Sequence, residues 1–243
     1  VSKYTVGIAG RVRATGDLIF GVNIELPQTS LDQTIHAEQF VIAYAWHLGV
    51  DGLSEIAMTG SGPCGYCRQS IKELDGEQAL TLLIPAKERY GMKSRWTLDE
   101  QMPDAFGPRE LGQSRGLLGT ESFKLGLAAP RTLDRAGEAA LQAATRSYAP
   151  YSRQPAGAAL VMDDGTVFAG GYLENAAFNP SLGAVRVAMV AAVAAGKSSQ
   201  AIRQVILVQV PGKSVNHEWQ TRGLIQAIAP RASVSVIDAR ILP

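Results

Sequence analysis

The sequence predicts an α/β protein of two tandem domains, each a sheet covered by helices, the second a degenerate copy of the first. Three observations carry this. Short apolar runs of strand length alternate with segments of helical apolar spacing. The hairpin and helix opening of residues 4–39 return, altered, at residues 156–186. The 243 residues allow one large domain or two of about 120, either big enough for a core.

In order along the chain, Tyr4–Ala9 and Leu18–Val22 read as a β-hairpin about the turn Ala14-Thr15-Gly16-Asp17. Gly21 to Leu26 follows, where period-two alternation puts Asn23 and Glu25 on one face. His36–Leu48 has helical spacing through Phe40, Ala43 and Tyr44, with His47 a structural residue near its C-terminus. Ser54–Thr59 is a strand, Cys64–Leu74 a second helix and Leu80–Ile84 a closing strand. From Pro85 to Ala129 prolines, glycines and charges such as Lys87, Glu88, Arg89, Lys93 and Arg95 take over, which reads as a linker. Leu133–Tyr148 is an amphipathic helix, and Ala156–Leu160, the Asp163-Asp164-Gly165 turn and Val167–Gly170 repeat the first hairpin. Ala184–Ala195 is too short to span a membrane and reads as a buried helix. The expected division is therefore 1–84, a linker over 85–129, and 130–243.

The chemistry concentrates in Thr34-Ile35-His36-Ala37-Glu38-Gln39 and Pro63-Cys64-Gly65-Tyr66-Cys67-Arg68. His36, Cys64 and Cys67 offer one imidazole and two thiolates, a soft set suited to one zinc ion, with a fourth position left open as catalytic sites require. Both halves open predicted helices, whose N-termini favour thiolates and a carboxylate. Glu38 lies two residues from His36; helix positions spaced by two do not share a face, so its carboxylate points past the metal and can shuttle protons. His-x-Glu with Pro-Cys-x-x-Cys is the zinc deaminase signature. In the second copy Gly183 and Val185 replace the histidine and glutamate, and no CxxC follows, so that half is expected to bind no metal and do no chemistry. Two competing readings use the same cysteines: a thiol–disulfide oxidoreductase, which leaves His36 and Glu38 unexplained, and a zinc-stabilised module without catalysis.

Composition narrows the class. Hydrophobic residues make up 46% and charged residues 19%, ordinary for a globular chain, and a net charge of +1 gives no field for holding a polynucleotide. Both cysteines belong to the motif, which leaves no disulfide framework and fits a reducing cytoplasm. No signal peptide or membrane span is apparent, and Val1 in place of methionine leads to the expectation of a trimmed N-terminus.

With these motifs, and with Pro103-Asp104-Ala105-Phe106-Gly107-Pro108 and Glu174 to Pro180, the chain resembles the two-domain, homodimeric, zinc-dependent cytidine deaminases of bacteria and plants from Ser2 to about Val236. The resemblance implies a three-layer α/β/α fold in each half. It implies hydrolytic deamination of cytidine and deoxycytidine, with deamination of another small aminated nucleoside or base as the alternative. It assigns Asn23 and Glu25 to the ribose 3′-hydroxyl, the Tyr4 ring to stacking on the base, the Ala37 N–H to the pyrimidine O2, and Phe106 to the neighbouring subunit's pocket. This chain departs from the family in Tyr4, where phenylalanine is usual, and in Ser61-Gly62, and it is expected to lack the helical N-terminal segment of bacterial members. Shorter relatives carry Cys-Ala-Glu-Arg where this chain has His36 to Gln39, so Arg186 reads as a relic of that pattern.

Overall fold

The computed structural model describes residues 2–86, 94–119 and 122–243. The chain forms two compact units, neither of them continuous in sequence. One comprises Val1–Glu25, Thr34–Thr120 and Asn175–Ser181; the other comprises Leu26–Gln33, Glu121–Glu174 and Leu182–Pro243.

In the first unit the strands β1 (Gly7–Val12), β2 (Leu18–Val22), β3 (Leu53–Met58), β4 (Thr81–Leu83) and β5 (Arg95–Trp96) lie in the order β2-β1-β3-β4-β5. Only β3 and β4 run parallel, because a helix, α2 (Gly65–Lys72), carries the chain between them. Helix α1 (Ala37–Leu48) packs on the face of Ile8, Gly10, Ile19 and Gly21, all of which alternate toward it. A Cβ on Gly21 would come within 2.9 Å of the Ala37 carbonyl oxygen and 2.7 Å of Val41, so glycine is what lets α1 lie this close. The helix stops at Gly49, whose left-handed φ of 72° lets its own N–H and that of Val50 turn back onto the Trp46 and Ala45 carbonyls. On the opposite face Leu18, Val22 and above all Phe20, 65% exposed, point away from the core.

In the second unit β6 (Leu125–Leu127), β7 (Ala156–Met162), β8 (Val167–Gly171), β9 (Ile202–Gln209) and β10 (Ser233–Ile241) lie in the order β6-β10-β9-β7-β8, again with a single parallel pair, β9 and β10. The helices are α4 (Arg135–Thr145), α5 (Ala184–Ala194) and α6 (His217–Ile228). Gly157 and its neighbour Ala158 point to opposite faces, and the helices follow suit. A Cβ on Gly157 would meet the backbone of α4, while one on Gly170, opposite Ala158, would meet the backbone of α5. Helix α4 buries Ala140 and Ala144 against Ala159, Ile206 and Val208, completing a three-layer α/β/α sandwich.

The tandem α/β organisation read from the sequence is thus the observed one, and α5 is buried along most of its length, as expected for Ala184–Ala195. The stretch expected to be a linker is more ordered than that reading implied. It contributes β5 and the short α3 (Leu98–Gln101), whose Thr97 and Glu100 form a reciprocal capping box, to the first unit, and β6 to the second. Residues 87–93 and 120–121 of that stretch, with Lys87, Glu88, Arg89 and Lys93, lie outside the described residues. No helix of the described residues is long and apolar enough to cross a membrane.

Candidate metal centre and substrate cleft

Helix starts place the three candidate ligands. His36 is the N-cap of α1, with extended backbone (φ −71°, ψ 155°), and Cys64 is the N-cap of α2 (φ −67°, ψ 168°). Cys67 follows in the first turn of α2 and is fully buried, whereas Cys64 is exposed. The His36 Nδ1 atom lies 3.2 Å from Cys67 Sγ and 3.6 Å from Cys64 Sγ, and the two sulfurs are 3.5 Å apart. Ligands at three corners of a zinc tetrahedron, with Zn–S near 2.3 Å and Zn–N near 2.0–2.1 Å, would be separated by about 3.5–3.8 Å. The observed triangle matches to within a few tenths of an ångström, and its donor set is a zinc set. Among the described residues this is the one group of three such donors that could hold a metal ion together.

The electrostatics agree. Hydrogen bonding from the Cys67 thiol, and then from His36, pulls the Cys64 thiol down to about 3. The same bond to Cys64, together with burial, pushes Cys67 up. The bond with Cys64 raises His36 against the opposing effect of its own burial. One thiol is therefore readily ionised while its neighbour holds its own proton, and a cation binding between them would displace that proton.

The triangle opens on a cleft of about 260 Å³ lined by Tyr4, Val6, Asn23, Glu25, Thr34, His36, Ala37, Glu38, Thr59, Ser61, Gly62 and Cys64. Glu38 stands in the first turn of α1, 7% exposed. Ala37, as the first residue of α1, has a backbone N–H with no acceptor inside the helix. Asn23 and Glu25 lie just beyond β2, on either side of Ile24, which is bridged to Ile35 by bonds of 2.8 and 3.0 Å. The predicted strand continues only as this bridge, and it still turns both side chains to one side.

Both side chains also hold the N-terminal segment. Asn23 Oδ1 accepts from the Val6 N–H at 2.9 Å and Nδ2 donates to the Tyr4 carbonyl at 2.8 Å. Glu25 accepts from the Ser2 N–H at 2.5 Å and from the Ser2 hydroxyl. An amide has two N–H groups and two lone pairs, so each end of Asn23 keeps capacity for a second bond. The effect is to lay Tyr4, 61% exposed, along the cleft. Phe106 does not line the cleft; it is exposed, and its carbonyl accepts from Gln69 Nε2 at 3.0 Å.

Sequence reasoning passed over Val6 and Thr59, which complete the wall, and the supporting part played by Gln39. The signal for Gln39 was available, since a glutamine three residues after an N-cap is half of a capping box. In the second unit Gly183 is the N-cap of α5 and Asn216 that of α6, and Val185 stands in the first turn of α5, so the helix starts are kept while the ligands are gone. Arg186, expected as a relic, has a structural place: it is buried, and its guanidinium donates to the Asp32 carbonyl at 3.0 Å.

Comparison with known proteins bears on the same residues. The family described as "Cytidine and deoxycytidylate deaminase zinc-binding region" matches twice, over residues 2–82 and over residues 98–222. A cytidine deaminase of Aliivibrio fischeri is 39% identical over 230 residues, covering 95% of this chain and 74% of the relative. One of Photobacterium profundum is 37% identical, covering 98% of this chain and 77% of the relative. A solved structure of cytidine deaminase from Burkholderia pseudomallei aligns with 44% of this chain and 88% of its own at 30% identity, with a TM-score of 0.37.

Proposed function

The chain belongs to the cytidine and deoxycytidylate deaminase zinc-binding family, and from that premise we propose that it hydrolyses free cytidine and 2′-deoxycytidine to uridine and 2′-deoxyuridine with release of ammonia, a pyrimidine-salvage reaction. The observation that carries the reading is the His36–Cys64–Cys67 triangle at the wall of a cleft that also holds the buried carboxylate of Glu38.

Zinc held by His36 Nδ1 and the two sulfurs supplies, when bound, a hydrolytic nucleophile near neutral pH. Glu38 would accept one proton of the attacking water and deliver it to N3 of the base. It would then take the second from the hydroxyl added at C4 and pass it to the amine, which leaves as ammonia while the C4 carbonyl forms. Its position, withdrawn from bulk water but open to the cleft, suits this relay. The Ala37 N–H, free of any helical acceptor, is directed at the pyrimidine O2. Asn23 and Glu25 receive the ribose 3′-hydroxyl, and the Tyr4 ring stacks on the base.

A carboxylate at the 3′ position also explains why a nucleoside is preferred to a polynucleotide, whose phosphate it would repel. Residues 1–84 carry the chemistry in this reading and 130–243 form the non-catalytic copy, while the stretch between them adds elements to both units. Two chains pair as a homodimer in a reducing cytoplasm, with Phe106 of each reaching the other's pocket. The thiol–disulfide alternative gives no task to Glu38, which lines the same cleft.

The test is ultraviolet absorbance of cytidine, cytidine 5′-monophosphate and cytosine with zinc-replete protein, run beside Glu38→Ala. Loss of the cytidine band alone, a fall of about 10²–10⁴ in Glu38→Ala and unchanged zinc content are expected. Zinc-loaded protein that leaves cytidine untouched would refute the reading.

A further inference from the structure

We propose that Gln39 and Tyr66 are positioning residues for the zinc site, held by the loop of residues 175–181, so that the chemically silent half of the sequence braces the ligands of the active half. The inference rests on the reading of His36, Cys64 and Cys67 as zinc ligands.

Gln39 is 1% exposed and its amide is engaged at both ends. Its Oε1 accepts from the backbone N–H of His36 at 3.2 Å, while its Nε2 donates to the carbonyl of Pro180 at 3.1 Å. Only an amide serves both: a glutamate lacks the donor and an arginine lacks the acceptor. Satisfying the His36 N–H fixes the backbone from which the imidazole projects, and hence the direction of Nδ1 toward the sulfurs.

Tyr66 acts from the other side. It lies between the two cysteines in sequence, its ring centroid is 5.8 Å from that of His36 at a tilt of 33°, and its hydroxyl donates to the Asn179 carbonyl. The loop is itself anchored to α2 and the residue that ends it: Asn175 Nδ2 donates to the Gln69 carbonyl at 3.0 Å, and the Ala176 N–H to Glu73 Oε2 at 2.8 Å. These bonds hold Phe178 at a left-handed φ of 59°, a conformation a bulky residue does not adopt unaided.

The second unit separates what belongs to the fold from what belongs to the metal. Arg186 occupies the same helix position in α5 as Gln39 in α1, and it too donates to a carbonyl of the loop lent by the other half, Asp32 of residues 26–33. The reach across is therefore general. The acceptor that caps the helix start is present only where that start is a ligand, since Gly183 stands in place of His36 and an arginine cannot accept.

The experiment compares wild type, Tyr66→Phe and Gln39→Glu, the last keeping the acceptor and losing the donor. Zinc release to a chromogenic chelator and the visible absorption of the cobalt(II)-substituted protein are recorded beside thermal unfolding of the metal-free forms. Faster zinc release by about 10–100-fold with a shifted cobalt spectrum is expected for both variants, and metal-free unfolding close to wild type for Tyr66→Phe. Release within twofold of wild type and an unchanged spectrum in both would overturn the proposal. Should Gln39→Glu not fold, Tyr66→Phe decides alone, because it removes one hydroxyl from a half-exposed ring. A wild-type protein that takes up neither metal would instead defeat the ligand reading, and this inference with it.

Discussion

The two units share the order of four strands, a single parallel pair among the described strands and a glycine beneath the helix that follows the hairpin, yet where the first opens a cleft the second packs two rings together. The difference lies in a few side chains. Where the first unit has Asn23, two residues before Glu25, the second has Tyr172, two residues before Glu174. Where Gly65 leaves open space after the N-cap of α2, His217 follows the N-cap of α6. The Tyr172 and His217 rings meet edge to face at 4.7 Å, and His217 Nε2 lies 2.9 Å from the Gln154 carbonyl. Both glutamates clasp the segment that enters the first strand of their sheet: Glu25 takes Ser2, and Glu174 takes the N–H groups of Tyr151 and Ser152 at 2.8 and 3.1 Å. Glu174 is sealed at 2% exposure, while Glu25 stays half-open to the cleft. The same scaffold is a binding site or a plug according to whether its own side chains fill it.

The most severe way to break the comparison is to exchange the helix starts. His36→Gly, copying Gly183, is expected to abolish zinc and turnover together, whereas Gly183→His creates no metal site because no thiols face it; elemental analysis of both proteins decides. Next in size is the contrast between the outer sheet faces. Ala140→Glu places a carboxylate inside the α4 layer and should cost more than about 3 kcal/mol, while Phe20→Glu, on the exposed face of the first sheet, should stay within about 1 kcal/mol in urea unfolding. Equal losses would mean that the first face is covered in solution.

Smaller again are Gly170→Ala and Gly21→Ala, each expected to cost about 1–3 kcal/mol through overpacking. Gly170→Ala should be the worse, since its Cβ would lie 2.1 Å from a backbone nitrogen; only Gly21→Ala should raise KM, by moving Ala37 and Glu38. The smallest effect concerns His217, which burial holds below the usual imidazole range against the opposing bond to Gln154. The unfolded chain takes up that proton first, so stability conferred by the neutral ring is complete above about pH 6.5 and falls as pH drops from there toward the folded value. Melting temperatures at pH 7.5 and 5.5 should show a drop in wild type that is shallower in His217→Gln.

Much of this was legible in the sequence. The cluster of donors was readable because zinc chemistry admits few donor types and helix starts bring them together from fixed spacings, His36 in one motif and Cys64 with Cys67 in the other. The repeat was readable because hairpin turns need glycine where φ is positive, as at Gly16 (77°) and Gly165 (81°). Burial decided the rest. Arg186 looked vestigial since its acceptor, Asp32, is 154 residues away. The support of His36 by Pro180 and Asn179 was likewise hidden, because backbone carbonyls leave no mark on residue identity. The stretch after Pro85 read as a tether for want of periodicity, yet two-residue β5 and four-residue α3 are too short to show any.

The reciprocal loan of residues 26–33 and 175–181 makes the two copies hostages of one another. A chain severed after residue 129 would retain every ligand and Glu38 in its first fragment, but the carboxylate of Glu73, 1% exposed, would lose the Ala176 N–H, and Gln39 would face no acceptor. The companion fragment would take from the guanidinium of Arg186 its bond to the Asp32 carbonyl. The second half thus supplies backbone groups that the first unit uses, whatever chemistry it lacks itself.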